Sequence, residues 1–402
     1  MVWEAYKKVR AKGKSAGIDG ISLKEFKQDH PSHLYKIWNR LSSGSYFPPA
    51  VREEEITKKD GKVRKLGIPT VGDRVAQMVI KNLIESRLEQ VFHDNSYGYR
   101  LERSAHDALA VVRQNVRIFP WVIDLDIKGF FDNIDHELLM QAIERHVDEP
   151  WIIMYIRRWL EMPIQTKGGD KIEKQGKGTP QGGVISPILA NLFLHYVFDE
   201  WLRIYYPQVK FVRYADDAII HCRTKEEAEE VLQSLHKRVG LCKLELHKDK
   251  TKIVYCKDYR RTEDADKVSF DFLGYCFQPR SSKSKRTGKM FLGFDLAISK
   301  SSRTKLIEEL RSTKFHLWTT ATIEEIATQL NSKLSGWIQY YGKFRRWELS
   351  GVFRRFHERL IKWLLNKYKR LKGSIKKAYK LLENIKKTQP TLFAHWKAGY
   401  SI

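Results

Sequence analysis

The stretch FVRYADDAIIHC (residues 211–222) places two adjacent aspartates between two runs of β-branched, apolar and aromatic residues. Such runs favour strands, so the pattern predicts a β-hairpin with Asp216 and Asp217 at its tip. A turn alone explains one aspartate, because Asp suits turn positions. Two neighbouring carboxylates at the end of apolar strands repel each other unless a cation lies between them. By itself, this stretch leaves a plain turn and a metal site equally open.

A third carboxylate comes from WVIDLDIKGFFDNIDH (121–136). Asp124 and Asp126 are expected on one face of a strand, because side chains alternate along it, and Asp126 stands at the strand's exit. Three carboxylates from separate strands are a ligand set for two hard cations, with other positions left for water and substrate phosphates. Asp132 and Asp135 stand three apart at a predicted helix start, where Asp is a good cap, so we expect them outside the metal site.

Two further segments carry weaker signals. GKGTPQGGVISP (176–187) precedes a long apolar helix, and its glycines allow a ligand to approach the backbone closely. Gln181 is its candidate contact to an incoming nucleotide or to a template, and a plain glycine-rich turn is the alternative.

The segment ITKKDGKVRKLGIPTVGDR (56–74) predicts a basic hairpin in which Arg64 can donate two hydrogen bonds to phosphate oxygens. The alternative is a hairpin whose charges are merely solvated.

The charge balance points to a polyanionic partner. The 402 residues include 73 Lys or Arg against 48 Asp or Glu, a formal net charge of +25. Nucleic acid is the first candidate and an anionic membrane surface the second. No apolar run reaches the roughly 18 residues of a membrane-spanning helix, and no secretory signal is visible. We therefore expect a cytoplasmic protein of bacterial type whose four cysteines are reduced thiols.

The last quarter of the chain has a character of its own. Residues 299–402 hold 23 Lys or Arg and 7 Glu without any Asp. Apolar residues recur there at steps of three and four, which predicts helices. The first stripe is Ile323, Ile326, Leu330, Leu334, Trp337 and Tyr341, and the second is Val352, Phe356, Leu360 and Trp363. This quarter is predicted to be a basic helical bundle.

Taken together and in this order, the segments resemble one family. Three segments are similar to the sequence blocks of reverse transcriptases: YADD (214–217), DIKGFFD (126–132) and TPQGG with the following SP (179–187). Further segments resemble those of the group II intron-encoded reverse transcriptase/maturases. They are LGIPTVGDR, NSYGYRLERSAHDAL, LHKDKTKIV and FLGY. LSGWIQYYGKF (334–344) looks like the maturase thumb segment. The resemblance covers nearly the whole chain.

This resemblance implies an α+β, right-hand polymerase fold whose fingers and palm contain antiparallel sheet, followed by an α-helical thumb/maturase domain. Fingers and palm would occupy residues 1–280, a linker or loop 281–295, and the RNA-binding thumb/maturase domain 296–402.

The resemblance also implies the site residues. Two Mg²⁺ ions, with Mn²⁺ as a possible substitute, would be bound by the catalytic Asp126, Asp216 and Asp217, together with the backbone carbonyl of Ile127. The nucleotide pocket would include Lys58, Arg64, Phe131 and Gln181, with Phe131 screening the sugar 2′ carbon. The primer would be bound by Phe272, Leu273 and Gly274. RNA would be bound by Arg354, Arg355 and Arg359.

The function implied is RNA-directed DNA synthesis by an enzyme that also assists splicing. Its partners would be an RNA template (a group II intron RNA), a DNA or RNA primer and dNTPs, with no membrane and an oligomeric state that the sequence leaves open. Two alternatives remain: a maturase-type RNA-binding splicing factor without polymerase activity, or a reverse transcriptase adopted for host defence. No cysteine follows Cys276, so we expect no zinc-dependent HNH endonuclease domain and no cleavage of a DNA target.

Overall fold

The chain forms two units, as seen in this computed structural model, which describes residues 1–11, 15–57, 63–284 and 286–400. The first unit comprises Met1–Ala108 and Trp121–Ile253. The second comprises Leu109–Pro120 and Val254–Ile402. These ranges do not coincide with the predicted functional domains, whose boundary at residue 280 stays a prediction.

A four-stranded sheet lies at the centre of the first unit, in the order β6-β7-β3-β8. Its strands are β3 (Trp121–Asp126), β6 (Lys210–Tyr214), β7 (Asp217–Cys222) and β8 (Lys252–Tyr255), the last of which runs on into the second unit. β7 pairs antiparallel with both β6 and β3. The middle strands β3 and β7 are rich in buried Val, Ile and Leu, as expected for strands in the interior of a sheet.

Helices surround this sheet and share its core. Three different helices and two strands contribute to one buried cluster. It includes Leu139 and Met140, Leu189 and Leu192, and Val231 and Leu235 of the helices and Ile123 and Ile220 of the strands. The helices of this unit are α1 (Val2–Arg10), α2 (Leu23–Gln28), α3 (His30–Ser42), α4 (Val71–Val91), α5 (Ala105–Asn115), α6 (Phe130–Asn133), α7 (His136–Glu144), α8 (Pro150–Glu161), α9 (Ser186–Leu194), α10 (Glu200–Tyr205) and α11 (Lys225–Leu241), with α5 ending in the second unit. A π-helical turn, His195–Asp199, joins α9 to α10.

A second sheet of the first unit has the order β2-β1-β4-β5. Its strands are β1 (Val51–Thr57), β2 (Val63–Ile68), β4 (Ile164–Gln165) and β5 (Lys171–Ile172). β1 and β2 are antiparallel, so the hairpin predicted from residues 56–74 exists.

The second unit contains a three-stranded antiparallel sheet made of β9 (Phe270–Phe272), β10 (Tyr275–Lys283) and β11 (Met290–Ile298). Residues 281–295, predicted as a linker or loop, therefore lie largely in strands, and that prediction was wrong. The basic run from Arg280 to Lys289 suggested a flexible loop, but cross-strand pairs as far as Lys283 with Met290 continue the ladder. Strand pairing overrode the polar composition because a hairpin needs only one buried face.

Helices complete the second unit. They are α12 (Lys300–Ser312), α13 (Ile323–Tyr341), α14 (Ser350–Lys367), α15 (Ile375–Thr388) and α16 (Ala394–Lys397). Both predicted stripes lie on helices: Ile326, Leu330 and Leu334 of α13 and Phe356 and Leu360 of α14 are buried in one cluster. The predicted helical bundle is thus present. None of the described helices combines the length and apolar character that crossing a bilayer requires.

Candidate active site

The turn between β6 and β7 carries the two adjacent aspartates. The predicted hairpin is present. Tyr214 pairs with Asp217, so Ala215 and Asp216 form a two-residue turn and Asp217 is the first residue of β7. Ala215 has a φ of 56°, in the left-handed region that hairpin turns of this length use. Gly98 lies directly beneath, where an added Cβ would stand 2.4 Å from the backbone nitrogen of Ala215. Only glycine lets the chain approach the turn this closely.

Asp126 lies opposite Asp217. The two residues are Cα partners in the antiparallel register of β3 and β7, at the last position of one strand and the first of the other. The carboxylates of Asp126, Asp216 and Asp217 therefore come from one end of the sheet. Strand pairing brings together residues about 90 positions apart, which the separate sequence motifs predict only jointly.

These carboxylates repel one another. Desolvation by the surrounding protein, followed by the charges of Asp216, Asp126 and Asp124, raises the pKa of Asp217 to about 7, although the residue stands at the exposed end of β7. The ammonium of Lys250 opposes that shift and lies 3.1 Å from a carboxylate oxygen of Asp126. Lys252 similarly pairs with Asp124 at 3.5 Å. Lysines thus neutralise part of a charge cluster that a bound cation would neutralise more completely.

The donor set suits hard cations, which prefer carboxylate oxygens. No three His, Cys, Asp or Glu side chains in the described ranges already form a ready metal cluster. Asp126 is instead turned into its ion pair with Lys250. The placement of Asp126, Asp216 and Asp217 at one end of the sheet is the observation that supports a cation site, because a carboxylate held next to other carboxylates gains most from a nearby positive charge.

A buried ion pair supports the turn from below. Arg213 is 1% exposed and binds both carboxylate oxygens of Asp199, at 2.7 and 2.5 Å. The same guanidinium donates to the side-chain oxygen of Asn191 at 3.0 Å and to the backbone oxygen of Ala215 at 3.1 Å. Asn191 in turn donates to the backbone oxygen of Gly98 at 2.6 Å. The turn that carries Asp216 is therefore fixed by a network that excludes water.

A cleft of about 640 Å³ opens beside Asp126 and Asp216. Its basic lining consists of Lys65, Lys128, Lys174, Lys177, His247 and Lys250, and its apolar lining includes Val63, Ile127, Phe130, Phe131 and Pro180. All of these residues belong to the first unit. A cleft with apolar walls, carboxylates at one side and several ammonium groups matches a ligand that joins a flat ring to a polyphosphate.

Phe130 and Phe131 both line this cleft, at 2% and 7% exposure. Phe130 also contacts the ring of Phe193 in α9. Gly129 precedes them with a φ of 56°, which turns the chain sharply after the strand. Burial alone does not separate the two rings, so the assignment of Phe131 to the sugar stays a prediction.

Gln181 reaches the cleft from the loop before α9. Its amide donates to a carboxylate oxygen of Asp132 at 3.1 Å, and its backbone oxygen accepts from Gly67 of β2 at 3.1 Å. Asp132 is thus a cleft residue rather than a helix cap. Asp135 does cap α7, accepting from the backbone nitrogen of Leu138 at 3.0 Å, as expected.

Two predicted nucleotide contacts remain open. Lys58 lies outside the described residues. The backbone of Arg64 pairs with Ile56 in the β1–β2 ladder, and its side chain also lies outside the described part of the chain. Their assignment to the nucleotide pocket stays a prediction.

Comparison with known proteins agrees with this geometry. The family model described as "Reverse transcriptase (RNA-dependent DNA polymerase)" matches residues 56–277, more than half of the chain. This chain belongs to the reverse transcriptase family. The model of the group II intron maturase-specific domain matches residues 303–381. The predicted reverse transcriptase with a maturase-type helical region, and with it the polymerase fold, is confirmed. Reverse transcriptases depend on divalent metal ions, and binding of intron RNA accompanies the maturase domain.

Individual relatives point the same way. The chain is 30% identical over 297 residues to protein YkfC of Escherichia coli, covering 64% of this chain and 74% of that protein. It is 38% identical over 178 residues to the group II intron-encoded protein LtrA of Lactococcus lactis, covering 44% of this chain and 28% of the relative. A putative COX1/OXI3 intron 1 protein of Saccharomyces cerevisiae is 23% identical over 446 residues, 98% of this chain and 50% of the relative.

The chain thus spans half or less of these two intron-encoded relatives. A solved telomerase of Candida albicans aligns with 94% of this chain and 70% of its own at a TM-score of 0.48 and 12% identity, which adds nothing to the assignment.

The second unit of this reverse transcriptase holds the remaining predicted residues. Leu273 and Gly274 form a two-residue turn between β9 and β10 with φ of 49° and 80°. Tyr340 of α13 donates to the backbone oxygen of Leu273 at 2.8 Å. Phe272 is 3% exposed, and its backbone pairs with Tyr275 in the β9–β10 ladder, so its contact with a primer stays a prediction.

The three arginines predicted to bind RNA all lie on α14 but differ in surroundings. Arg354 is exposed. Arg355 is exposed and pairs with Glu358 at 2.8 Å. Arg359 is half-buried and hydrogen-bonds His316 at 3.2 Å. Their binding to RNA stays a prediction.

Three residues that the structure brings to the site were not predicted from the sequence. Lys250 lies on the segment LHKDKTKIV, whose several lysines give no local sign of which one reaches the aspartates. Asp132 was expected to be a cap. Arg213 precedes the aspartates in RYADD, where a charged residue inside a predicted apolar strand was itself the signal, because such a residue is buried only when it is paired.

Proposed function

We propose that this chain copies an RNA template into DNA with two Mg²⁺ ions held by Asp126, Asp216 and Asp217. The observation that carries the proposal is the pairing of Asp126 with Asp217 at one end of the sheet, next to Asp216 and beside the cleft. Bound metal ions would activate the attacking primer hydroxyl and stabilise the leaving pyrophosphate. The backbone oxygen of Ile127 is the fourth proposed ligand.

The chain's own residues would bind and orient the nucleotide. Phe131 would lie under the sugar, Gln181 would contact the nucleotide from the loop before α9, and the lysines of the cleft would attract its phosphates. Lys250 would screen Asp126 until a cation arrives, because an ammonium is the nearest charge that can do so. Arg64 and Lys58 would complete the nucleotide pocket.

The second unit would bind intron RNA. Support comes from the match to the maturase-specific domain and from the strong positive charge of residues 299–402. Arg354 and Arg355 on α14 would contact phosphates, and the turn at Leu273 and Gly274 would hold the primer. Stabilising the folded intron in this way would assist its splicing, since folded RNA is recognised by shape and by its exposed loops.

The test is primer extension on an RNA template by an Asp216→Asn variant. Loss of a metal-binding carboxylate should lower extension by about 100-fold or more, because metal ions contribute several kcal/mol of transition-state stabilisation. Asp264→Asn is the matched control, since that carboxylate is fully exposed and pairs only at the surface with Lys257. Near-normal extension by Asp216→Asn, with an unchanged melting temperature, would overturn the proposed site.

The metal is tested in the same assay. Extension should require Mg²⁺, and Mn²⁺ should support it because both ions accept oxygen ligands. Extension that persists after chelation would contradict the two-metal proposal.

A further inference from the structure

Asp73 is a fully buried carboxylate in the first turn of α4. One of its oxygens accepts from the hydroxyl of Tyr46 at 2.9 Å and from the indole nitrogen of Trp159 at 2.8 Å. The other accepts from the side-chain amide of Gln77 at 2.8 Å. Within the described residues no cation forms an ion pair with it. Burying a carboxylate costs several kcal/mol unless its neighbours satisfy it, so its presence calls for a reason.

Gln77 links Asp73 by hydrogen bonds to a loop that is distant in sequence. Because a carboxylate only accepts, Gln77 must turn its NH₂ group towards Asp73. Its oxygen then points the other way and accepts from the backbone nitrogens of Val184 at 2.7 Å and Ile185 at 3.3 Å. These two N–H groups lie just before α9, where helix geometry leaves donors without partners of their own. Gln77 is itself 1% exposed, so no water substitutes for either contact.

The loop fixed in this way is the one that presents Gln181 to the cleft. Gly183 has no room for a side chain, since an added Cβ would stand 2.5 Å from the hydroxyl oxygen of Ser186. Gly182 has a φ of 134° and lies against the backbone of Gly67, where a Cβ would come within 2.6 Å of the Gly67 oxygen. The loop is thus clamped between β2 on one side and Gln77 on the other.

A purely local role does not explain these contacts. Asp73 is the third residue of α4, and a negative charge there suits the helix N-terminus. Thr70, however, already caps this helix by accepting from the backbone nitrogen of Asp73. An exposed carboxylate would serve the helix without the cost of burial, and it would not meet Tyr46, Trp159 and Gln77.

We propose that Asp73 and Gln77 are positioning residues that hold the loop 179–185 so that Gln181 meets the incoming nucleotide. The proposal rests on the proposed function in one respect, the contact of Gln181 with the nucleotide. Asp73 touches no substrate. It fixes the orientation of the Gln77 amide, and Gln77 fixes the backbone from which Gln181 projects.

A reciprocal exchange of the two side chains tests this chain of hydrogen bonds. In Asp73→Asn the new NH₂ group faces the NH₂ group of Gln77, and two donors cannot bond. If the Gln77 amide flipped, its NH₂ group would instead face the N–H groups of Val184 and Ile185. In Gln77→Glu two carboxylates face each other. In the double variant Asp73→Asn/Gln77→Glu, the new amide donates to the new carboxylate. The carboxylate accepts from both backbone nitrogens, and the amide oxygen still serves Tyr46 and Trp159. Net charge and all five hydrogen bonds are preserved.

Each single variant should raise KM for dNTP at least tenfold, with the affinity for template–primer unchanged. The double variant should return to within about threefold of the wild-type KM, because interacting residues are not additive. Hydrogen exchange at the Val184 and Ile185 amides should be faster in the single variants and normal in the double variant. If the single variants do not fold, recovery of folding and of KM by the double variant still supports the proposal.

A Gln181→Ala background shows whether the effect passes through Gln181. There, adding Asp73→Asn should change KM for dNTP less than twofold. A further tenfold rise in that background, wild-type KM in both single variants, or a double variant no better than the single ones would each overturn the proposal. None of these outcomes touches the proposed polymerase activity, which fails only if the wild-type protein does not extend a primer.

Discussion

Two adjacent aromatic rings, Phe130 and Phe131, form part of the cleft wall beside Asp126. A DNA-making enzyme must reject ribonucleotides, which differ from its substrates by one hydroxyl. A pocket that merely tolerates a hydroxyl discriminates by about two orders of magnitude at most. A rigid ring placed where the 2′-hydroxyl would project adds a steric clash against the wrong substrate. One of the two rings can have this role, while the other holds the loop to α9 through Phe193.

We expect Phe131→Val to raise ribonucleotide incorporation while deoxynucleotide incorporation survives, because the ring that blocks the 2′-hydroxyl is gone. Phe130→Val should instead lower the free energy of unfolding by about 1–3 kcal/mol, since a buried ring is truncated. Single-nucleotide incorporation with both sugar types, together with denaturant unfolding, measures these effects. The assignment is wrong if Phe131→Val keeps the wild-type preference for deoxynucleotides or if Phe130→Val is the variant that loses it.

The β6–β7 hairpin is placed by elements distant in sequence. Strand β6 carries Arg213, the π-helical turn carries Asp199, and α9 carries Asn191. π-helical turns are uncommon and often occur at functional sites. Here the turn brings Asp199 under the strand that ends at the aspartates. The position of Asp216 is therefore a property of the packing of these elements rather than of the hairpin alone.

Gly98→Ala tests how closely the hairpin must be held. The added Cβ would meet the backbone of Ala215, which cannot move aside as a flexible side chain can, so the turn with Asp216 must shift. A displacement of about 1 Å at reacting groups can lower the rate about 100-fold, and we expect a loss of that order in primer extension. Gly240→Ala in α11 is the control, because its Cβ would enter open space and should stabilise the helix. Wild-type extension by Gly98→Ala would show that the turn tolerates the shift.

In the second unit, α14 and α16 meet through two buried histidines. The Nε2 atoms of His357 and His395 lie 2.8 Å apart, and the indole nitrogen of Trp396 donates to His357 at 3.2 Å. Burial lowers the pKa of His357 to about 4 and that of His395 to about 2. The neighbouring His357 adds to the shift of His395, and the charge of Lys386 adds to both shifts. Both pKa values lie below that of an unfolded histidine, near 6.5. The neutral forms are therefore the ones that the fold accommodates.

The two histidines should make the second unit less stable in mild acid. Their contribution is complete above pH 6.5 and falls as pH drops towards 4, because the unfolded chain takes up protons that the folded chain refuses. Each histidine can lower the free energy of unfolding by about 1.4 kcal/mol per pH unit in that window. His395→Phe, placed among the rings of Phe353, Phe356 and Phe393, should remove about half of this slope in urea unfolding between pH 7 and 5. An unchanged slope would contradict the assignment.

At the scale of the whole molecule, the three site aspartates and most of the net positive charge lie in different units. Asp126, Asp216 and Asp217 belong to the first unit, and the strongly basic residues 299–402 belong to the second. Under the proposed function, nucleotide transfer would need the first unit, whereas binding to a folded RNA would draw on positive charge that contacts phosphates. The two activities should therefore respond separately to substitution.

We expect the Asp216→Asn variant to assist splicing of the cognate intron at near wild-type levels, since splicing chemistry belongs to the RNA and the protein stabilises its fold. Arg354→Ala/Arg355→Ala should give the converse result, a lower affinity for intron RNA and a shallower salt dependence, with the log–log slope reduced by roughly 0.7 for each phosphate that the variant no longer binds. Splicing assays and binding titrations at several salt concentrations measure both. If Asp216→Asn loses splicing as completely as primer extension, the two activities are not separable.

Much of this protein was determined by its sequence alone. The aspartates Asp126, Asp216 and Asp217, the hairpin around them and the two apolar stripes of α13 and α14 follow from local patterns. Strand and helix periods, turn chemistry and like-charge repulsion act over a few residues, and the sequence displays them directly. The family and its maturase region followed from the same motifs.

Only the tertiary structure decided the rest, because each remaining feature joins residues far apart in the chain. It brought Lys250 to Asp126, turned Asp132 towards Gln181 and made the basic segment after Arg280 part of a strand ladder. It also linked Asp73 to the loop of Gln181 through Gln77. Hydrogen-bond polarity, burial and strand register depend on which neighbours meet in space, and no local pattern of residues specifies those neighbours.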